Sequence, residues 1–404
     1  MMKSYDAVVI GAGPAGATAA FLLARAGWSV VVVEKTAFPR RKVCGEFISA
    51  TSLPLLHELG VASAFSTQAG PRVRQVGLYA NETMLAADMP GLEGGSGSHG
   101  RALGREYLDA MILNRAVAAG AEVLQPRTMT QVTRNADGLV CTVISKDSGE
   151  TAQLLARVVI AAHGSWERGL LPMQHSHRPP RPADLFAFKA HFKNSSLPPG
   201  LMPLLAFPGG YGGMVHSDDG RTSLSCCICR DYLEQCRRQW GEMKAAETVF
   251  SHIRASCRGV REGLSNASRD GAWLSAGPIQ PGIRKIFKDG IFSIGNAAGE
   301  AHPIVAEGIS MAIQSAWLLC ERLITNKGAL VSASAMEQIG QEYAADWRSN
   351  FTRRIHAAAI FAHLAMRPVT ARLSCALLQR APAILTMGAH LSGKTQPLRG
   401  LQNS

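Results

Sequence analysis

At 404 residues the chain can bury one large hydrophobic core or two moderate ones. With 47% hydrophobic and 18% charged residues it reads as globular, and no run of about 18 apolar residues suggests a transmembrane helix. The net charge is +12, most of it in one terminal stretch, so it does not by itself mark a nucleic-acid binder.

Met1–Asp6 leads straight into the first apolar run, which leaves no room for a signal peptide and sets a cytoplasmic expectation. Ala7–Ile10 suits a buried parallel strand. Gly11-Ala12-Gly13-Pro14-Ala15-Gly16 follows, with glycine at all three positions of G-x-G-x-x-G. A helical run from Ala17 to Ala26 is closed by Gly27, and a second apolar run, Val30–Val33, ends at Glu34-Lys35. In such a unit the first glycine permits a tight turn, the second lets the backbone approach a pyrophosphate, and the third lets helix and strand pack closely. The free N–H groups and positive dipole end of the helix favour phosphate. Glu34, 23 positions after Gly11, is placed to bind ribose hydroxyls. The pattern predicts a dinucleotide site at Gly11, Gly13, Ala15, Gly16, Glu34 and Lys35, without deciding between FAD and NAD.

Arg40, Arg41 and Lys42 precede Cys44-Gly45-Glu46, and basic groups beside a glycine suit phosphate or ribose oxygens. Leu53–Leu59 predicts a short helix, and Val76–Ala80 with Met84–Ala87 predicts a hairpin around Asn81-Glu82. The glycine- and serine-rich segment 91–100 is expected to be mobile. Arg105–Ala118 is an amphipathic helix, and Val123–Ala161 an antiparallel meander inserted in the nucleotide domain. Proline-rich residues 172–182 mark a boundary. Beyond it, Leu185–Phe192, Leu204–Phe207 and Leu224–Cys229 read as strands, 208–213 as a glycine loop, and Asp231–Ile253 as one helix. These segments are largely apolar and predict a substrate-facing domain for a hydrophobic ligand. Cys226, Cys227, Cys229 and the nearby Cys236 lack a second ligand pair at finger spacing, so they read as buried thiols and not as a metal site. Trp273–Ile279 and Gly290–Ile294 return to the first fold as strands. A loop over 295–303 and a helix from Gly308 to Leu323 follow, and the remainder is helical, broken at Pro368 and Pro382. Trp347–Ser404 holds seven Arg, one Lys and no Asp or Glu. Spaced through an apolar helical pattern, those charges point to an acidic partner protein or an anionic membrane surface, with a merely solvated basic face an equal alternative.

Three segments together resemble the FAD-binding fold of the para-hydroxybenzoate hydroxylase type, in the branch containing geranylgeranyl reductases and flavin-dependent halogenases. They are GAGPAG with Glu34; RKVCGE, Arg41–Glu46, close to the R-K-x-C-G-E of the reductases; and Ile294–Ala316, similar to the family's G-D-A-A-G…P…G-x-G element. GREYLD, Gly104–Asp109, is similar to a helix start usual in the family. The resemblance covers residues 5 to about 325. It implies an α/β fold: a Rossmann-like FAD-binding domain of the glutathione reductase type, an inserted mixed-sheet substrate domain and a helical C-terminal region. The expected division gives 1–75, 99–170 and 273–330 to the FAD-binding domain, 76–98 and 171–272 to the substrate domain, and 331–404 to the basic helices. Gly11, Gly13, Gly16 and Glu34 would bind the ADP half of FAD, and Arg41, Cys44, Gly45 and Arg105 would line the cofactor. Gly295 and Asn296 would meet the pyrophosphate and ribityl chain, and Pro303 would stand by the isoalloxazine. The N–H groups of Gly308, Ile309 and Ser310 would face flavin N1 and C2=O, where a helix end stabilises the charge of reduced flavin.

Departures from the family pattern narrow the chemistry. Asn296 replaces the usual Asp and can still accept a hydrogen bond. His163-Gly164 stands where many hydroxylases carry Asp-Gly, so the electron source is either NAD(P)H or a partner reductase. The halogenases' W-x-W-x-I-P is absent, as is any lysine between Lys42 and Lys146, which argues against halogenation. Tyr211–His216 lacks the tryptophan of the reductases' Y-x-W-x-F-P-type segment. The leading expectation is a monooxygenase acting on a hydrophobic, aromatic substrate through a flavin C4a-hydroperoxide, with His302 as proton donor or base and Pro303 as a wall. The alternatives are a reductase of isoprenoid double bonds and a hydroxylase of an aromatic side chain in a polypeptide held by the basic tail.

Overall fold

In the computed structural model, residues 2–92, 99–165, 179–241 and 243–394 are described. Most of the segment expected to be mobile, and most of the proline-rich boundary, lie outside them. Val30–Val33 is buried at every position, as a strand covered on both faces must be. It pairs in parallel with Lys3–Ile10, which pairs in parallel with Thr151–Ala161 and through it with Ile291–Ser293. Glu122–Leu124 extends the other edge, also in parallel. Arg127–Arg134 and Leu139–Ser145 join Thr151–Ala161 as the antiparallel meander, and the whole is an eight-stranded sheet. Pro14–Arg25, with proline in its first turn, packs between the helices Arg105–Ala118 and Gly308–Thr325.

The second sheet has seven strands, in the order Ser268–Ile279, Leu185–Lys193, Thr222–Cys229, Gly210–His216, Leu201–Phe207, Gln75–Ala80 and Thr83–Asp88. It is mixed, because Leu201–Phe207 and Gln75–Ala80 run parallel while their neighbours are antiparallel. Successive residues of a strand face opposite sides. Phe188, Met214 and Cys226 therefore enter the core under helices Arg230–Trp240 and Ala245–Ser256, while Ala187, Tyr211 and Cys227 enter the core shared with the parallel sheet. The clustered cysteines are thus split between two cores on one strand.

Three expectations are corrected. Trp273–Ile279 does not return to the first fold: it is part of strand Ser268–Ile279, the edge of the second sheet, held there by antiparallel pairing with Leu185–Lys193. Residues 210–213 are not loop but the start of strand Gly210–His216. Adjacent chain passes so close that a Cβ at Gly212 would meet the Ser225 carbonyl, and one at Gly210 the Phe207 ring. The single helix over 231–253 is two helices, broken at Gly241, whose φ of 74° is readily adopted only by glycine. The C-terminal region forms Ala333–Met366, Pro368–Arg380 and Ala383–Leu391, with prolines at the two breaks. Buried Tyr343, Trp347 and Phe351 fix the long helix to the first core. Among the described residues no helix is long and apolar enough to cross a membrane.

Candidate functional site

One long cleft runs between the two sheets, from Glu34 at one end to Tyr211 and His302 at the other. At the first end, Gly11 (φ 100°) turns so tightly that a Cβ would strike the Ala162 carbonyl. Gly13, the N-cap of Pro14–Arg25, has no side-chain cap, and a Cβ there would meet only an Arg105 guanidinium nitrogen at 3.7 Å. The helix start is therefore open to the cleft. The Glu34 carboxylate accepts from the Ala12 N–H at 2.8 Å and the Thr36 N–H at 3.1 Å, which leaves lone pairs for a ligand hydroxyl. Arg40 lies buried between Glu34 (3.5 Å) and Asp109 (3.1 Å), and Arg105 grips Asp109 through two bonds of 2.6 and 2.7 Å. Burial, then the neighbouring Arg40 and Arg105, push the Lys42 ammonium down to about 8.

A second uncapped helix start, that of Gly308–Thr325, opens on the middle of the same cleft through Gly308 and Ile309. Its first turn is held from behind: Ser49 Oγ lies 2.9 Å from Ser310 Oγ, and Lys394 Nζ donates to Glu307 at 2.9 Å and to the Val305 carbonyl at 2.7 Å. Asn296 donates its amide to Glu300 at 2.9 Å and lines the cleft with Gly295. Burial raises the Glu300 carboxyl, against the pull of Arg284.

At the far end the lining turns apolar, with Met202, Leu204, Val215, Ile279 and Ile304. Within this wall stand Tyr211, 1% exposed, and His302, 8% exposed, with Tyr211 Oη 3.0 Å from His302 Nδ1. Burial, then the nearby His363, bring His302 down to about 4, so its ring is neutral at neutral pH. Burial holds the Tyr211 phenol well above its ordinary range. Because the folded-state value of His302 lies below the unfolded value of about 6.5, the unfolded chain binds more protons between those two pH values. Stability from this residue is complete above about pH 6.5 and declines as the pH falls toward 4, by at most about 3 kcal/mol. His302→Gln should flatten the unfolding midpoint over that window, as thermal melts at stepped pH would show.

Beneath the cleft, Glu46 (φ 66°) places its carboxylate between Lys189 and His191, all three at most 3% exposed. Lys189 forms an ion pair with one oxygen, and His191 Nε2 lies 2.8 Å from the other. Burial pushes the Glu46 carboxyl up, but Lys189 and then His191 outweigh it and hold it well below the usual range. This cluster pins the segment containing Cys44 and Gly45 to the second sheet. Sequence reasoning missed it; its signal was a lysine and a histidine two apart in the otherwise apolar strand LFAFKAHFK.

Of the residues singled out in the sequence, Gly11, Gly13, Ala15, Glu34, Lys35, Cys44, Gly45, Arg105, Asn296, His302, Pro303, Gly308 and Ile309 all border the cleft. Three do not. Gly16 packs behind it, where a Cβ would fall onto the Gly11 carbonyl oxygen. Ser310 turns its hydroxyl to Ser49, away from the opening. Arg41 points outward to Glu106 at 3.2 Å, and its neighbour Arg40 takes the inner place because Glu34 and Asp109 are there to receive it. Gly16→Ala should separate helix from turn and weaken flavin retention roughly 10- to 100-fold, measurable by absorbance titration of the apoprotein.

Residues 4–349 match the family of FAD binding domains, and the chain belongs to it. It is 26% identical to a menaquinone reductase of Mycolicibacterium smegmatis, over 97% of this chain and 92% of that protein. It is 24% identical to a digeranylgeranylglycerophospholipid reductase of Methanopyrus kandleri, over 91% and 89% of the two chains. Among solved structures, a myxobacterial FAD-dependent chondrochloren halogenase shares the fold with a TM-score of 0.76 and 19% identity, over 97% of this chain and 91% of that one. The donor set fits FAD: two uncapped helix starts for pyrophosphate and flavin, with a carboxylate at the ribose position. The protein is an FAD-dependent oxidoreductase.

Proposed function

We propose that the protein reduces a carbon–carbon double bond in an apolar, isoprenoid-type chain. The observation that carries this is the composition of the far end of the cleft: an apolar wall interrupted by one hydrogen-bonded tyrosine–histidine pair. Reduction of an isolated double bond needs a proton for one carbon and a hydride for the other. When bound and reduced, FAD supplies the hydride. Gly11, Gly13 and Glu34 would hold its ADP half, and Gly295, Asn296, Gly308 and Ile309 its ribityl and flavin half.

The rest is the work of side chains. The apolar wall takes the chain out of water and excludes water from the reacting carbons. In the tautomer with its proton on Nδ1, His302 donates to the Tyr211 oxygen, and the phenol hydrogen, which the Cys227 thiol otherwise accepts, can turn to a substrate in the cleft. Tyr211 then gives that proton to the substrate and recovers one from Nδ1 of His302 as Nε2 of the same ring takes up a proton from solvent, so the imidazole stays neutral. The similarity to a menaquinone reductase and a digeranylgeranylglycerophospholipid reductase, over nearly the whole length of both chains, supports this reading over the hydroxylase expected from sequence.

Two atmospheres test it. Chemically reduced enzyme, mixed with isoprenoid alcohols, quinones or lipids without oxygen, should give a product heavier by two hydrogens. Product formed only with O2, and heavier by one oxygen, would restore the hydroxylase.

A further inference from the structure

Among the described residues, seven exposed large apolar side chains fall between Ile360 and Leu391, and they recur at helical spacing. Ile360 and Leu364 are four apart on the long helix; Val369, Leu373 and Leu377 follow on the next, then Met387 and Leu391 on the last. Val369 is 70% exposed and Leu373 66%. Met84 adds to them from strand Thr83–Asp88, on which the last two helices pack. Single exposed apolar residues need no explanation, but a stripe does.

The same helices expose Arg353, His356, Arg367, Arg372 and Arg380. From Trp347 to Ser404 the chain has seven Arg, one Lys and no acid. Apolar rows flanked by cations match a helix lying in the plane of an anionic lipid surface, apolar side chains in the acyl boundary and guanidinium groups at phosphates. A second copy of this chain would set like charges against like. An acidic polypeptide would satisfy the arginines but leave the apolar rows unmatched.

The face is joined to the cleft. His363, on the long helix, lies with its ring 5.9 Å from that of His302, and Lys394, just past the last helix, reaches Glu307 at the flavin-side helix start. We propose that the helices from Arg353 to Leu391 seat the enzyme on anionic bilayers, so that a lipid substrate enters the cleft from the acyl region. The seating stands on the exposed face alone; the delivery clause rests on the function proposed above.

The test uses the full-length, FAD-loaded protein and sedimentation with vesicles of phosphatidylcholine, with and without phosphatidylglycerol. Binding should be roughly tenfold or more tighter on the anionic vesicles and should weaken as salt rises. Leu373→Glu/Leu377→Glu and Arg372→Glu/Arg380→Glu should each lower it roughly tenfold or more, with flavin content and circular dichroism unchanged. No vesicle binding, or variants that bind like the parent, would overturn the proposal. So would dimerisation lost in these variants, or binding to polyglutamate without binding to vesicles. Turnover of a short isoprenoid alcohol in detergent separates the two ideas: the variants should match the parent there, and no turnover by any form would count against the function while sedimentation still decides the seating.

Discussion

Tyr211→Phe should lower turnover by roughly 10²–10⁴-fold while leaving flavin content and substrate affinity close to the parent values. The ring is fully packed, so phenylalanine keeps the volume and loses only the hydroxyl that lies 3.0 Å from His302 Nδ1. A donor of protons in the transition state appears in kcat and not in KM. The phenol is held protonated by burial, so the loss should be nearly flat across neutral pH. His302→Gln should cost less, because glutamine can still donate to the phenol oxygen but cannot resupply the proton. Anaerobic single-turnover kinetics with reduced enzyme would read both effects. A Tyr211→Phe rate within about threefold of the parent would place the proton donor elsewhere.

Lys189→Met should destabilise the protein by about 3–5 kcal/mol, because it leaves Glu46 charged and buried with only His191 and the Arg105 backbone N–H for partners. Glu46→Gln combined with Lys189→Met should recover much of that loss, since an apolar and amide pair of similar volume has no buried charge to solvate. The folded-state value of Glu46 lies below its unfolded value of about 4.3, so its contribution is present above that pH and fades as the pH falls further. The gap between parent and Lys189→Met should therefore narrow in acid. Urea unfolding near pH 7 and near pH 4 measures it. Equal stability of the single variant and parent at neutral pH would mean that the carboxylate is not charged in the folded state.

What was legible in the sequence was local. The turn at Gly11–Gly16, the strand ending at Glu34 and the helix Arg105–Ala118 are each fixed by residues within a few positions of one another, and spacing alone revealed them. The Glu46–Lys189 pair spans 143 positions and joins a loop to the second sheet, and no periodicity records which strand will face which loop. Arg40 and Arg41 are chemically alike neighbours; only the tertiary placement of Asp109 separates the inner from the outer one. The glycines at 210, 212 and 213 read as loop because glycine frees the backbone. At 210 and 212 the absent side chains let two strands and a ring come close instead. The basic C-terminal helices were visible as charge, but their apolar rows became exposed surface only once the buried faces were known.

Lys394 gives the outer helices a second meaning. The residue is 5% exposed and its ammonium bonds end on Val305 and Glu307, the residues that bring the chain round from Pro303 to the helix at Gly308. Pulling it out would leave the buried Glu307 carboxylate without its cation, held only by the Ser49 hydroxyl, at about 3–5 kcal/mol. The last helix and the floor of the cleft thus behave as one lever with a stiff joint. A load on the outside should register as a changed flavin spectrum within.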